Sequence, residues 1–107
     1  MKIGPYTYIV EKDTYEGPNS FDTDKWGDCR FDLQRIRVNS QAHMQVNLVT
    51  LFHETLHAID FINATNTPES AIATLAPLLV MWLEDNGVNL DPLRKIIEEA
   101  EEHADRT

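Results

Sequence analysis

Hydrophobic and polar positions follow two different periods along this chain. Near the N-terminus, Tyr6, Tyr8 and Val10 alternate with Thr7 and Ile9, the period-two pattern of a strand of about six residues. Asp13 to Asp24 is polar, with Gly17-Pro18-Asn19-Ser20 at its centre, which is turn and loop chemistry. Trp26 to Phe31 and Arg35 to Asn39 predict a hairpin joined by Asp32-Leu33-Gln34. Cys29 and Phe31 would share one face, as would Ile36 and Val38, with Arg30, Arg35 and Arg37 on the other.

From Gln41 to Ile62 the period lengthens to that of a helix. Leu48, Leu51, Phe52, Leu56, Ile59 and Ile62 recur at spacings of three and four and predict a core-facing stripe, with Ser40 as N-cap. The polar run Asn63 to Thr67 ends it. Thr67-Pro68 and Asp91-Pro92 each place a capping residue before a proline suited to the first helical position. They predict a second helix from Pro68 to Asn86, stopped by Gly87, and a third from Pro92 to Ala104 that buries Leu93, Ile96, Ile97 and Ala100. Pro77 predicts a kink in the second helix or its division into two. Glu98, Glu99, Glu101, Glu102 and Asp105 predict a solvated outer face. The pattern is that of an α+β fold in one domain over 1–107, with a β part at 1–39 and a helical part at 40–107.

Composition narrows the function. A chain of 107 residues with 42% hydrophobic and 25% charged residues is an ordinary small folded domain. Nine Lys and Arg against eighteen Asp and Glu give a net charge of −9, which repels phosphate backbones and acidic headgroups. Neither a nucleic-acid nor a membrane partner is expected. Cys29 is the only cysteine, so a disulfide within the chain and a Cys-rich zinc site are both excluded, and a reducing cytosol is favoured. Gly4, Pro5 and Thr7 interrupt the N-terminal stretch too early for a signal-peptide apolar region. The uncharged run from Ser70 to Leu83 is broken by Pro77 and falls short of the ~18 residues that span a bilayer. A soluble intracellular protein is expected.

One segment carries chemistry. Thr50-Leu51-Phe52-His53-Glu54-Thr55-Leu56-His57-Ala58-Ile59 holds His-Glu-x-x-His on a predicted helix. Residues four apart stack on one helical face, so His53 and His57 can offer two imidazoles to one zinc ion. Glu54, one residue on from His53, is placed to reach a water on that ion rather than the ion itself. Zinc lowers the pKa of such a water towards about 7, and Glu54 as general base takes its proton and passes it to the leaving amine. That is amide-hydrolysis chemistry. A catalytic zinc site needs a third protein ligand. Asn63, six residues after His57, stands where another histidine is often found, which leaves Glu69, Asp60 and His103. Glu69 opens the second helix and would reach the ion if that helix folds back over the first. Its alternative role is an acid favouring the helix dipole. Asp60 shares the stripe of His53 and His57 and is placed to ligate or, in preference, to accept a hydrogen bond from a ligand histidine. His103 fits a surface position, and His43 and Cys29 fit structural ones.

Leu51 to Asp60, with Glu69 and Leu75-Ala76, resembles the ImmA/IrrE-type metallopeptidases, and most of all the short phage- and prophage-encoded ones. Those open with a stretch like Lys2 to Tyr6 and place a β-hairpin, here Gly27 to Asn39, before the metal helix. The resemblance extends to about Asn86. It implies a minimal zincin-like fold: a small antiparallel sheet of about three strands packed on the metal helix, plus two further helices. It also implies one zinc per chain held by His53, His57 and Glu69, with Glu54 as base. The chain departs from the larger relatives, some of which cleave a repressor, in having no room for a sensor or DNA-binding domain, and in Pro77 after Glu69.

The expected function is therefore a small gluzincin-like zinc peptidase, cytoplasmic in a bacterial host and phage or prophage encoded. Its protein or peptide substrate would lie along an edge strand of the hairpin. Tyr6, Tyr8, Tyr15 and His43 are the candidate oxyanion donors. Two rivals predict different behaviour. In a non-catalytic zinc-stabilised fold the metal only holds the core. In an acidic interaction protein, a DNA mimic binding a host factor, the carboxylates act and the histidines are incidental.

Overall fold

The alternating N-terminal segment divides in two in the computed structural model, which describes residues 1–13 and 27–102. The polar connection beyond Asp13, the Trp26 start of the hairpin, Tyr15 and His103 lie outside those residues. Strand β1 (Lys2–Ile3) pairs antiparallel with β2 (Tyr6–Thr7) around Gly4, whose φ of +58° suits a residue without a side chain. Tyr8 then turns into the core, and its backbone exchanges hydrogen bonds with Met1. Only from Ile9 does the chain join the main sheet, as β3 (Ile9–Asp13).

The hairpin forms as the alternation predicts: β4 (Gly27–Arg30) and β5 (Arg35–Asn39) are antiparallel, with Cys29 opposite Ile36. The sheet as a whole corrects the expected all-antiparallel arrangement. Its order is β4-β5-β3-β6, with β3 parallel to β5 and β6 (Glu101–Glu102) parallel to β3. Charge pairing accounts for the parallel register. Arg35 on β5 pairs with Glu11 on β3 at 3.4 Å. Arg37 spans the sheet, pairing with Asp13 on β3 at 2.9 Å and donating Nε–H to Asp28 on β4 at 2.9 Å. With these arginines on one face, Val10, Ile36 and Val38 are buried on the other.

Helix α1 (Met44–Asn63) covers that apolar face. It starts later than expected. Ser40 is not its N-cap: its N–H donates to the Asp13 carbonyl and continues the β3–β5 ladder. Asn39 Oδ1 accepts from the Gln41 N–H, and Asn47 Nδ2 bonds back to the Asn39 carbonyl, so the helix begins only after His43. The buried stripe of α1 comprises Asn47, Leu48, Thr50, Leu51, Glu54 and Ala58, which leaves Ile59 exposed rather than in the core.

Helix α2 (Glu69–Asp85) packs on α1 through Ile72, Ala76 and Val80. Its N-cap is Pro68 rather than Thr67, whose N–H is given to Asp60 in the preceding turn. It runs as one helix through Pro77, not as two short ones. Pro77 and Ala73, whose carbonyl a residue with an N–H at 77 would bond, both lie on the exposed side of the helix, where losing that bond costs least. Gly87, with φ +75°, ends the helix as expected. Helix α3 (Asp91–Glu98) is shorter than the sequence predicts. Glu101 and Glu102 leave it to form β6, since β3 offers an edge and Lys12 Nζ holds the Glu98 carbonyl at 3.0 Å. The last described residues thus return to the sheet. Among the described residues, no helix is long and apolar enough to cross a membrane.

Gly27 sets how closely β4 approaches α1. A Cβ there would overlap Thr50 Cγ2 and the Arg37 carbonyl oxygen more tightly than real Cβ atoms allow. Gly27→Ala is expected to destabilise the protein by ~1–3 kcal/mol, an overpacking cost, read as an earlier midpoint in urea unfolding. An unchanged midpoint would show that strand and helix are not held in this contact.

Candidate metal centre

His53 and His57 fall one turn apart on α1, on the side that meets β4 and the start of α2. What brings a third group to them is the α1–α2 connection. Ala64 adopts a left-handed conformation (φ 52°, ψ 42°) and Asn66 another (φ 55°), so the chain reverses within a few residues. The Ala64 and Thr65 N–H groups return to the Phe61 and Asp60 carbonyls. Asp60 Oδ1 accepts the Thr65 hydroxyl and, at 2.9 Å, the Thr67 N–H. These bonds, the Thr65 hydroxyl first, hold the Asp60 carboxyl below its ordinary pKa. Asp60 is therefore spent on the turn and is not in the ligand group.

The reversal lays the first turn of α2 over the histidines. Glu69 Oε1 lies 2.8 Å from His53 Nε2, and its Oε2 contacts His57 Nε2. The two Nε2 atoms are 3.2 Å apart, with the rings tilted by 53°. Ligand atoms of all three residues fall within 4.8 Å of one another. Four-coordinate zinc with bonds of about 2.0–2.1 Å separates its donors by about 3.3 Å, so the imidazole pair has the right spacing. The chemistry fits as well. In the absence of a cation, Glu69 can accept an N–H from each ring. With a cation, the same two nitrogens and carboxylate each turn a lone pair to it.

Glu54 is buried beside this group, on the floor of an open cavity of about 790 Å³ between α1 and β4. His53, His57 and Glu69 line the same cavity. Cys29 on β4 faces Glu54 across it. Burial, then the charges of Glu54 and Asp28, push the Cys29 thiol up to about 12, which leaves it a poor nucleophile. Sequence reasoning missed that Cys29, Phe31, Val46, Val49 and Thr50 form the cavity walls. The signal was present in part: the hairpin alternation puts Cys29 on the face of Ile36, towards α1.

The expected oxyanion donors do not gather here. Tyr8 is buried in the core, where desolvation raises its pKa, and Tyr6 is exposed on β2. His43 sits at the start of α1, about 15 Å along the helix from His53. None of these three lines the cavity. Asp60→Ala is expected to loosen the reversal and to weaken severalfold whatever affinity the cluster has for added zinc, while leaving the histidines in place, measured by competition with a chromophoric chelator. Undiminished affinity would mean that Glu69 is positioned without the turn. No protein-family model matches this chain, and no curated protein or solved structure is significantly similar to it.

Proposed function

We propose that the protein is a small zinc-dependent metallopeptidase of the gluzincin kind, as its resemblance to the ImmA/IrrE-type enzymes implies. The observation that carries the reading is the convergence of His53, His57 and Glu69, drawn from two helices, on one point of a cavity that also contains Glu54. Two imidazoles and a carboxylate are the ligand set of a catalytic zinc site that keeps a position open. Zinc bound there would supply Lewis acidity, polarising a carbonyl and lowering the pKa of a coordinated water.

The chain's own residues supply the rest. Glu54 is the proton carrier: it accepts a proton from the attacking water and returns it to the leaving amine. Its burial next to β4 strengthens its interactions with charge that develops in the cavity. β4 is one of the two end strands of the main sheet among the described residues, so its outer backbone groups can bond an extended peptide alongside α1. A surface of net charge −9 argues for a protein or peptide substrate rather than a nucleic acid. The setting that fits is the cytoplasm of a bacterial host, for a protein encoded by a phage or prophage.

A zinc-stabilised fold without catalysis would use the same three ligands, since they tie α1 to α2. Glu54→Gln separates the two. The wild-type protein should take up one zinc per chain and cleave members of a quenched-fluorescent peptide library. Glu54→Gln should keep the zinc and lose activity by ~10²–10⁴-fold, the usual worth of a general base. Zinc without cleavage in the wild type would leave only the structural role, and equal cleavage by the variant would show that Glu54 is not the base. Glu69→Ala should weaken zinc binding by at least ~100-fold and remove the rise in melting temperature on adding zinc. If zinc content and melting are unchanged in that variant, the ligand set is wrong.

A further inference from the structure

The cavity does not end at the ligand group. β4 and α1 run side by side in the same direction: Gly27 abuts Thr50, Cys29 lies by Glu54, and Phe31 stacks on Phe61. Phe31 and Cys29 line the main cavity and also a second hollow of about 340 Å³, completed by Arg30, Asp32 and Phe61. The shared walls make the second hollow a continuation of the first, towards the C-terminal end of α1.

Helical spacing locates it relative to the chemistry. His53, His57 and Phe61 follow one another at intervals of four on the same face, so Phe61 lies one turn, about 6 Å, beyond His57. An extended peptide repeats its side chains on one side every ~6.6 Å. A peptide running along the groove would thus bring a side chain to Phe61 when another lies at the ligand group. The two rings are nearly parallel, at 5°, with centroids 4.3 Å apart. The rings cover each other's inner faces, yet Phe61 remains 59% exposed, so the outer surface of the stacked pair is largely wet. The Arg30–Asp32 ion pair rims it.

We propose that the Phe31–Phe61 wall is a specificity subsite for a large apolar, preferentially aromatic, side chain of the peptide substrate, about one strand repeat (~6.6 Å) from the bond cut. Burying such a side chain against the outer surface of the stacked pair removes apolar surface from water on both partners. This inference rests on the metallopeptidase reading. Phe61 takes no part in proton transfer; it selects which residue sits beside it.

The test uses zinc-loaded protein carrying Glu54→Gln, which binds without turnover. It is titrated with acetohydroxamate, which needs only the metal, and with two series of tetra-alanine hydroxamates. One series carries the hydroxamate at the C-terminus and the other at the N-terminus, with one Phe placed at each position in turn. One Phe position in one series should bind about tenfold or more tighter than the all-alanine parent. Adding Phe61→Ala should abolish that gain, adding Phe61→Tyr should keep it, and acetohydroxamate should bind all three proteins equally. Phe61 is mostly exposed, so both variants should fold, as circular dichroism and melting will report. If acetohydroxamate binds but no Phe position gains, the subsite proposal is overturned. It is also overturned if Phe61→Ala lowers the melting temperature and leaves the preference intact, for the stack is then only a brace between hairpin and helix. If acetohydroxamate does not bind, the metallopeptidase reading itself fails and the subsite with it.

Discussion

Everything in the candidate site depends on one reversal of the chain. Between Phe61 and Glu69 the backbone passes twice through the left-handed region, at Ala64 and Asn66, without a glycine at either place. Non-glycine residues pay for that conformation, Ala more than Asn. The compensation is local: the Asp60 carboxylate gathers the Thr65 hydroxyl and the Thr67 N–H, and the last carbonyls of α1 take the N–H groups that follow. Once closed, the turn leaves Glu69 nowhere to start α2 except above His53 and His57. Three donor groups are thereby assembled from seventeen consecutive residues, His53 to Glu69, at a small cost in loop closure.

The other wall of the cavity is set by the sheet, and there the decisive group is Arg37. Its guanidinium pairs with Asp28 on β4 and Asp13 on β3, and these hydrogen bonds, Asp28 foremost, raise its pKa. One planar fork therefore binds three adjacent strands on the face away from α1. With that face satisfied, β4 presents Gly27 and Cys29 to α1, and Gly27 permits the approach that a Cβ would block. Arginine on one face and glycine on the other fix the width of the groove that β4 and α1 enclose.

These two devices explain which parts of the molecule could be read from the residues alone. The His-Glu-x-x-His spacing is a local helical property, and so is the placement of an acid in the first turn after a short polar connection; both appear as expected. The hairpin is equally local. The expectations that changed involve groups far apart in the chain. Ser40 has the chemistry of an N-cap, but its N–H is claimed by Asp13. Glu101 and Glu102 belong to a helical, acidic pattern, yet the open edge of β3 draws them into a strand. The parallel pairing of β3 with β5 lies in no single strand's alternation. It emerges from the match of Glu11 and Asp13 with Arg35 and Arg37. Asp60 looked like a partner for a histidine because it shares that helical face, and only the conformation of the following turn assigns it elsewhere.

The acidity of the chain and its proposed chemistry bear on each other. Glu54 and Glu69 line the cavity with two imidazoles, in a protein that already carries a net charge of −9. Burying a carboxylate such as Glu54 in that setting costs free energy in proportion to the field of its neighbours. Cys29 sits in the same setting, where burial first, and then the charges of Glu54 and Asp28, push its thiol up. A divalent cation held by His53, His57 and Glu69, as proposed, would offset much of that repulsion. On the proposed function the arrangement that stores electrostatic cost in the metal-free chain is the one that favours the ion. Metal affinity and stability then rest on the same three side chains, His53, His57 and Glu69, and should respond together when any one of them is removed.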